Sequence, residues 1–230
     1  HLRLTRPPRP HLDLARVGDA EGLRAEDALV DEADDGVVDG VAQLQRELGR
    51  DHVGDDHDAV KDQLAKKGIN VEIVEFTDYV QPNLALNDKS LDANFFQHKP
   101  YLDEFCKSRG LKLASVGAVH LEPMSVFSNK YKSLAELPDG ASIAIPNDPT
   151  NGGRALLVLQ SAGLIKLRDG APVTATPQDI AENPHNLKFS ELEAPQLPRS
   201  LADVDAAVIN INFALEAKLN PKDAIYTESK

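Results

Sequence analysis

Strand-like and helix-like patterns alternate along most of this chain, and that alternation constrains the fold more than any other feature. Residues 71–76 form a β-branched, apolar run interrupted by two glutamates, which predicts a strand, and the capping types at residues 77–78 follow it. A short helix over residues 79–86 and a second, buried strand over residues 91–96 come next. Repeated strand and helix units predict an α/β fold with a parallel sheet, whose carboxyl edge faces a ligand-binding crevice.

Residues 94–102, Asn-Phe-Phe-Gln-His-Lys-Pro-Tyr-Leu, place three aromatic rings and one histidine at a predicted strand-to-helix junction. A proline and a glycine bracket the helix predicted over residues 100–109, because proline suits a first helical turn and glycine suits a stop. Phe96 and His98 then lie at the carboxyl end of a strand. Such ends bind ligands in α/β proteins.

A second junction runs from an apolar strand over residues 143–146 into a helix over residues 155–163. Residues 147–151 are rich in capping types, and the free backbone donors of a helix start favour an anion. Arg154 adds a planar guanidinium that can hold a carboxylate with two hydrogen bonds. The alternative is a capped helix on which Arg154 is simply solvated.

A third candidate follows the segment 192–201, where a short apolar strand over residues 205–210 ends in Asn210. The amide of Asn210 carries both donors and an acceptor, so it could bind an amino group and a carboxylate together. The alternative is a turn-forming asparagine after a core strand.

Taken together, these residues resemble the NlpA-type family of methionine-binding lipoproteins, the substrate-binding components of bacterial ABC importers. The resemblance covers about residues 60–228. It rests on five motifs in order: Phe-Thr-Asp-Tyr-Val-Gln-Pro-Asn at 76–83, Phe-Gln-His-Lys-Pro-Tyr-Leu at 96–102, Pro-Asn-Asp-Pro-Thr-Asn at 146–151 with Arg154, Glu-Leu-Glu-Ala-Pro-Gln-Leu-Pro-Arg-Ser at 191–200, and Ala-Val-Ile-Asn at 207–210.

The resemblance implies a two-lobed α/β fold of the periplasmic-binding-protein type (type II), closing on methionine. Lobe 1 would comprise residues 59–122 plus 209–230 and be incomplete, and lobe 2 would comprise residues 123–208. The resemblance implies an aromatic slot for the thioether, formed by Tyr79, Phe96 and Tyr101, with a hydrogen bond to the ligand from His98 on the same wall. Arg154 would hold the α-carboxylate. Asn147 and Asn210 would bind the carboxylate and ammonium ends.

The implied partners are L-methionine, with D-methionine as an open alternative, and the permease and ATPase of an ABC importer. Intact family members would be lipoproteins of the periplasm or the outer face of the cytoplasmic membrane. We expect no catalysis, cofactor or metal, and the net charge of −12 argues against nucleic acid. Two alternatives stay open: a small-molecule enzyme on the same scaffold, and an inactive truncated gene product.

Residues 1–58 differ in kind from the rest. They contain seven Arg and no Lys, whereas residues 59–230 contain fourteen Lys and four Arg. Their 15 acidic residues leave too little large apolar surface to offset the entropy of ordering, which predicts an atypical, largely disordered segment that does not match the family. A wrong reading frame, strand or start site would explain it, and a genuine acidic extension is the alternative. No secretion signal or early lipid-bearing cysteine is visible in it.

Three smaller features complete the sequence expectations. Cys106, the one cysteine, falls within the helix predicted over residues 100–109 and is expected to be buried and inert. The acidic and histidine residues at 52–58 match no structural metal loop. Ile211 and Lys218 stand where the family tends to have threonine and glycine, respectively.

Overall fold

The structure, a computed structural model, describes residues 2–5, 65–66, 70–118 and 121–228. They belong to two compact units, His1–His120 and Leu121–Lys230. No helix in these ranges is long and apolar enough to cross a membrane. The disorder predicted for residues 1–58 and the cluster at 52–58 lie outside the described residues, apart from the strand at residues 2–5.

The first unit contains a two-stranded antiparallel sheet and two helices. Strand β1 (Leu2–Thr5) pairs with β2 (Asn70–Ile73), and helices α1 (Gln81–Asn87) and α2 (Lys99–Arg109) follow. Both helices carry proline in their first turn, and Gly110 ends α2 with a left-handed φ of 67°. A small apolar cluster links the two helices through three buried leucines: Leu86, Leu91 and Leu102.

Three sequence predictions for the first unit need correction. The predicted strand over residues 71–76 ends at Ile73. The predicted helix starts at Gln81 because the Asp78 carboxylate accepts hydrogen bonds from the Val80 and Gln81 amides, at 2.6 and 2.8 Å. The predicted strand over residues 91–96 is wrong, since only Ala93 forms a bridge. Apolar alternation cannot by itself supply the neighbouring backbone that a strand needs.

The second unit is built on a five-stranded mixed sheet. Its strands are β3 (Met124–Phe127), β4 (Ser142–Pro146), β7 (Lys188–Leu192), β8 (Ala206–Asn210) and β9 (Tyr226–Thr227), in the order β7-β4-β8-β3-β9. Strand β4 runs parallel to β7 and β8, whereas β3 runs antiparallel to β8 and β9. The predicted parallel sheet is therefore the centre of a mixed one.

Two further strands, three α-helices and four 3₁₀ turns complete the described part of the second unit. A two-stranded antiparallel ribbon pairs β5 (Lys166–Leu167) with β6 (Ile180–Glu182). The α-helices are α3 (Pro149–Ser161), α4 (Leu197–Ser200) and α5 (Ile211–Glu216), and single 3₁₀ turns occupy Leu134–Glu136, Pro177–Asp179, Ala194–Gln196 and Pro221–Asp223.

The core of the second unit lies between α3 and the sheet. Leu156 and Leu159 of α3 and Ile143 and Ile145 of β4 are completely buried and belong to one apolar cluster. Complete burial of such side chains stabilises a fold by roughly 1.5–3 kcal/mol each. This packing holds the start of α3 at the carboxyl edge of the sheet, where Asn147 and Asn210 lie.

Residues 209–228 lie in the same compact unit as residues 123–208. Strand β9 contributes to this grouping by pairing with β3, Ser125 opposite Thr227 and Val126 opposite Tyr226. The lobe boundaries inferred from the resemblance assign residues 209–230 to lobe 1 and stay a prediction for the intact protein.

Strands β4 and β8 are joined at their amino ends by Asp205. Its carboxylate accepts hydrogen bonds of 2.8 Å from both the backbone amide and the hydroxyl of Ser142, and Lys130 adds an ion pair at 3.0 Å. The Ser142 bonds chiefly, with the Lys130 ammonium, hold the pKa of Asp205 below its usual range. The contact fixes the register in which both strands reach the opposite, carboxyl edge.

Replacing Lys218 by glycine is expected to stabilise the protein. Lys218 follows α5 with a φ of 60°, a left-handed conformation that costs a residue bearing a Cβ roughly 1–2 kcal/mol. Allowing for the greater freedom of glycine in the unfolded chain, we expect Lys218→Gly to raise the free energy of unfolding by about 0.5–1 kcal/mol. Urea unfolding measures this change.

Lys222→Gly is the matched control, since Lys222 is also exposed but belongs to the 3₁₀ turn Pro221–Asp223 and lacks a positive φ. We expect it to leave the free energy of unfolding unchanged or lower it. Equal effects of the two substitutions would mean that backbone strain at Lys218 is negligible.

Candidate functional site

The first unit gathers the four predicted ring-bearing residues into one cluster, called here the ring group: Tyr79, Phe96, His98 and Tyr101. The Tyr101 ring lies at its centre, with centroid distances of 5.8 Å to Tyr79 and 6.4 Å to both Phe96 and His98. Tyr79 and Phe96 are 5.9 Å apart. Edge-on and tilted arrangements at these distances are favourable for aromatic pairs.

Local structure explains how these rings meet. Tyr79 precedes α1, Phe96 and His98 lie in the irregular segment before α2, and Tyr101 is on the first turn of α2. The Tyr101 hydroxyl donates a 3.0 Å hydrogen bond to the Tyr79 carbonyl. The Phe105 ring lies 5.7 Å from Tyr101. Tyr101 is therefore held by its hydroxyl and by the neighbouring rings, and is 7% exposed.

A buried amide pair, which sequence reasoning missed, holds the segment that carries Phe96 and His98. The Asn83 and Gln97 side chains exchange two hydrogen bonds, at 2.7 and 2.8 Å, and Asn83 is completely buried. Asn94 also donates to the Asn83 oxygen at 3.2 Å. The sequence did contain a signal for this pair, namely the amide residues Asn83 and Gln97 within the aromatic motifs. A buried amide requires a hydrogen-bond partner, so two such residues could have been expected to pair.

In the second unit, the predicted amides lie at one edge of the sheet. Asn147 directly follows β4 and Asn210 ends β8, and because these strands are parallel their carboxyl ends share an edge. Asn147 is exposed, whereas Asn210 is 9% exposed. The Asn210 amide nitrogen donates to the Asn151 side-chain oxygen at 2.9 Å.

The Asn210 side-chain oxygen is buried and has no hydrogen-bond partner among the described residues. Asn210 is at the N-cap position of α5, yet its side chain does not cap the helix. A buried unsatisfied acceptor is costly, so such atoms call for an explanation. Here the oxygen could accept a bond from an N–H donor of a ligand.

The start of α3 already carries a negative charge of its own. The Asp148 carboxylate accepts from the Asn151 backbone amide at 2.9 Å and from the Asn151 side chain at 3.0 and 3.1 Å. Asp148 is thus the N-cap, as its residue type predicted. Asp148 therefore already places a carboxylate at the start of α3. This makes the helix start less attractive to an external anion than its capping residues alone would suggest.

Arg154 is held by protein oxygens. Its Nε and Nη2 atoms donate to the Glu228 carboxylate, at 2.6 Å for the shortest contact, and Nη2 also donates to the Glu122 carbonyl at 2.8 Å. The Arg154 side chain is 18% exposed and that of Glu228 30%. The alternative of a simply solvated Arg154 is wrong, and Glu228 is a partner that sequence reasoning missed.

The predicted binding residues therefore form two groups, each within its own compact unit. The four ring-bearing residues contact one another in the first unit. Arg154 and Asn210 in the second unit are connected through α3, since Asn151 binds Asn210 from the turn that precedes Arg154. Asn147 lies at the same edge. Their roles toward a ligand remain predictions.

Cys106 and His120 are the residues that the enzyme alternative would draw on first. Cys106 is a free thiol on α2, and it is half-buried where sequence reasoning expected full burial. Across the described ranges no three His, Cys, Asp or Glu side chains are grouped so as to hold a metal ion. His120 lies outside these ranges.

Comparison with known proteins decides the family. Residues 50–230 match the family described as NlpA lipoprotein. The chain belongs to this family. The resemblance inferred from the five motifs is thereby confirmed, and the match begins earlier than the boundary near residue 60 expected from them.

One family relative, the D-methionine-binding lipoprotein MetQ of Salmonella typhi, is 56% identical over 168 residues. The aligned part covers 72% of this chain and 62% of the relative, so the chain spans less than two thirds of that relative's length.

Two solved structures agree with the fold predicted from sequence. A nutrient-binding protein from Burkholderia cenocepacia bound to methionine is 52% identical, with a TM-score of 0.70 over 83% of this chain and 75% of that one. A periplasmic substrate-binding protein of an ABC transporter from Coxiella burnetii is 45% identical, with a TM-score of 0.71 over 82% of this chain and 75% of that one. The predicted α/β, periplasmic-binding-protein-like fold class is confirmed.

Proposed function

We propose that this protein binds methionine and delivers it to an ABC importer. The observation that carries the proposal is the ring group, in which the ring centroids of Tyr79, Phe96 and Tyr101 lie within 6.4 Å of one another. Thioether sulfur is attracted to ring edges, and such walls remove an apolar side chain from water. The methionine named in the Burkholderia relative's structure supports the same ligand here.

The polar groups of a free amino acid are assigned to the second unit. Arg154 and Asn147 bind the α-carboxylate, and the unsatisfied oxygen of Asn210 accepts a bond from the ammonium. His98, adjacent to Tyr101 in the ring group, adds a hydrogen bond at the side-chain end. Each assignment pairs a donor or acceptor with the ligand atom of opposite character.

Transport follows from the family rather than from the site. The Salmonella relative is named a lipoprotein, and the Coxiella relative is a periplasmic binding protein of an ABC transporter. We assign this protein the same setting: the periplasm or the outer face of the cytoplasmic membrane, with a permease and an ATPase as partners. Binding without chemical change of the ligand is the expected activity.

Isothermal titration of the full chain tests the proposal. L-methionine and D-methionine are titrated beside norleucine, which replaces the sulfur by a methylene, and beside alanine and glutamate. We expect methionine to bind at least about tenfold more tightly than norleucine, and Phe96→Ala to weaken methionine binding at least about tenfold through lost ring contacts.

The bound ligand is then recovered and identified. A folded protein that binds none of these amino acids would overturn the proposal. Recovery of a converted compound would favour the enzyme alternative instead.

A further inference from the structure

Described residues hold the guanidinium of Arg154 along one edge. Nε and Nη2 donate to Glu228, and Nη2 donates to the Glu122 carbonyl. The remaining nitrogen, Nη1, donates no hydrogen bond to a described residue. Because a guanidinium is planar and rigid, fixing the Nε and Nη2 edge also fixes the direction in which the Nη1 hydrogens point.

The Glu228 carboxylate is itself anchored. Its Oε2 atom accepts a hydrogen bond from the Met124 backbone amide at 3.1 Å, in addition to the bonds from Arg154. Met124 begins β3 and is completely buried, opposite Asn210 in the strand pairing. The ion pair is therefore attached to the same part of the sheet as Asn210, and both partners are largely shielded from solvent.

We infer that Glu228 is a positioning and specificity-determining residue for the ligand carboxylate. This inference rests on the proposed function. Glu228 holds Arg154 so that Nη1 is presented to the carboxylate, and its negative charge offsets that of the guanidinium. Because Glu228 offsets part of the charge of Arg154, the pair favours a ligand that is neutral overall, a zwitterionic amino acid, over one with a net negative charge.

The charge argument distinguishes ligands that share the same carbon skeleton. Methylthiobutanoate, the desamino analogue of methionine, carries the carboxylate without the ammonium. Its charge would be repelled by Glu228 across the guanidinium, in a setting where solvent screens the interaction incompletely. Methionine supplies a compensating positive charge and escapes this penalty. Glu228 thus selects for the amino group without contacting the side chain of the ligand.

The test measures both ligands by calorimetry on the wild type and on Glu228→Gln. The amide keeps the size of the side chain and one acceptor but loses the charge. We expect the preference for methionine over methylthiobutanoate to fall at least about tenfold, because methionine weakens while the anion is unchanged or binds more tightly. Glu182→Gln is the control, since it removes the carboxylate of an exposed ion pair with Lys166 and should leave the preference unchanged.

A purely structural role would weaken both ligands by the same factor, and that result, or an unchanged preference, overturns the inference while the proposed function stands. A folded wild type that binds neither ligand overturns both. Should Glu228→Gln fail to fold, Glu228→Asp takes its place, because it keeps the charge but shortens the reach to Arg154. Methionine should then bind at least about fivefold more weakly, and wild-type affinity would overturn the inference.

Discussion

Replacing Arg154 by alanine is expected to weaken methionine binding at least about 100-fold, or about 2.8 kcal/mol. The Arg154 side chain is 18% exposed, and a guanidinium binds a carboxylate through charge-assisted hydrogen bonds, which are among the strongest available to a protein. Alanine removes every donor at once. Isothermal titration with L-methionine measures the loss, and circular dichroism shows whether the variant is folded.

Two further variants make the Arg154 result specific. Arg154→Lys keeps the charge but not the planar arrangement of donors, so we expect it to recover only part of the affinity. Arg168→Ala removes a mostly exposed arginine side chain that pairs with Asp179, and this variant should bind methionine normally. If folded Arg154→Ala binds within about threefold of the wild type, Arg154 does not hold the carboxylate, since loss of such a bond costs far more.

Replacing Gly153 by alanine is expected to be the most damaging small substitution for stability. A Cβ at this position would lie 2.1 Å from the Val173 carbonyl oxygen and 2.9 Å from the Ala175 nitrogen, both backbone atoms that cannot rotate away. Alanine favours the helix by about 1 kcal/mol, which this overlap exceeds. We expect the free energy of unfolding to fall by at least about 3 kcal/mol in urea titration.

Ser161→Ala is the control on the same helix. Ser161 is exposed in the last turn of α3, so alanine adds helix propensity without a clash. We expect a change within about 0.5 kcal/mol for this surface position. Gly153→Ala unfolding within about 1 kcal/mol of the wild type would show that residues 173–175 move aside easily.

The glycine pair illustrates where sequence reasoning stops. Gly152 and Gly153 lie near a helix start, where glycines can approach phosphates, but a glycine pair alone is too weak a signal to predict a phosphate site. In the structure both glycines allow close packing: a Cβ on Gly152 would lie 2.8 Å from the Pro146 carbonyl oxygen. A glycine pair in a sequence indicates that another group approaches the backbone closely. It does not indicate whether that group belongs to the protein or to a ligand.

Elements with local signals were predicted well. Helix α2 begins and ends almost where proline and Gly110 indicate, and Asp148 caps α3 as its residue type indicates. Strands β4 and β8 match their apolar runs. These features depend on side chains only a few residues apart, so the sequence contains the physical cause of each.

Features that depend on distant partners were missed. The Arg154–Glu228 ion pair spans 74 residues and the Asn83–Gln97 amide pair spans 14. No short motif encodes either contact. The strand predicted over residues 91–96 was wrong for a related reason, because strand formation is decided by a neighbouring backbone and not by alternation alone.

The Asn83–Gln97 amide pair also limits how this protein can evolve. Each side chain provides hydrogen-bond partners for the other, and Asn83 is completely buried. An apolar substitution at one position would therefore leave the amide at the other position without these hydrogen bonds. Substitutions that preserve stability must therefore change both positions together. The two positions are expected to co-vary, and the placement of the segment that contains His98 depends on Asn83, fifteen residues upstream.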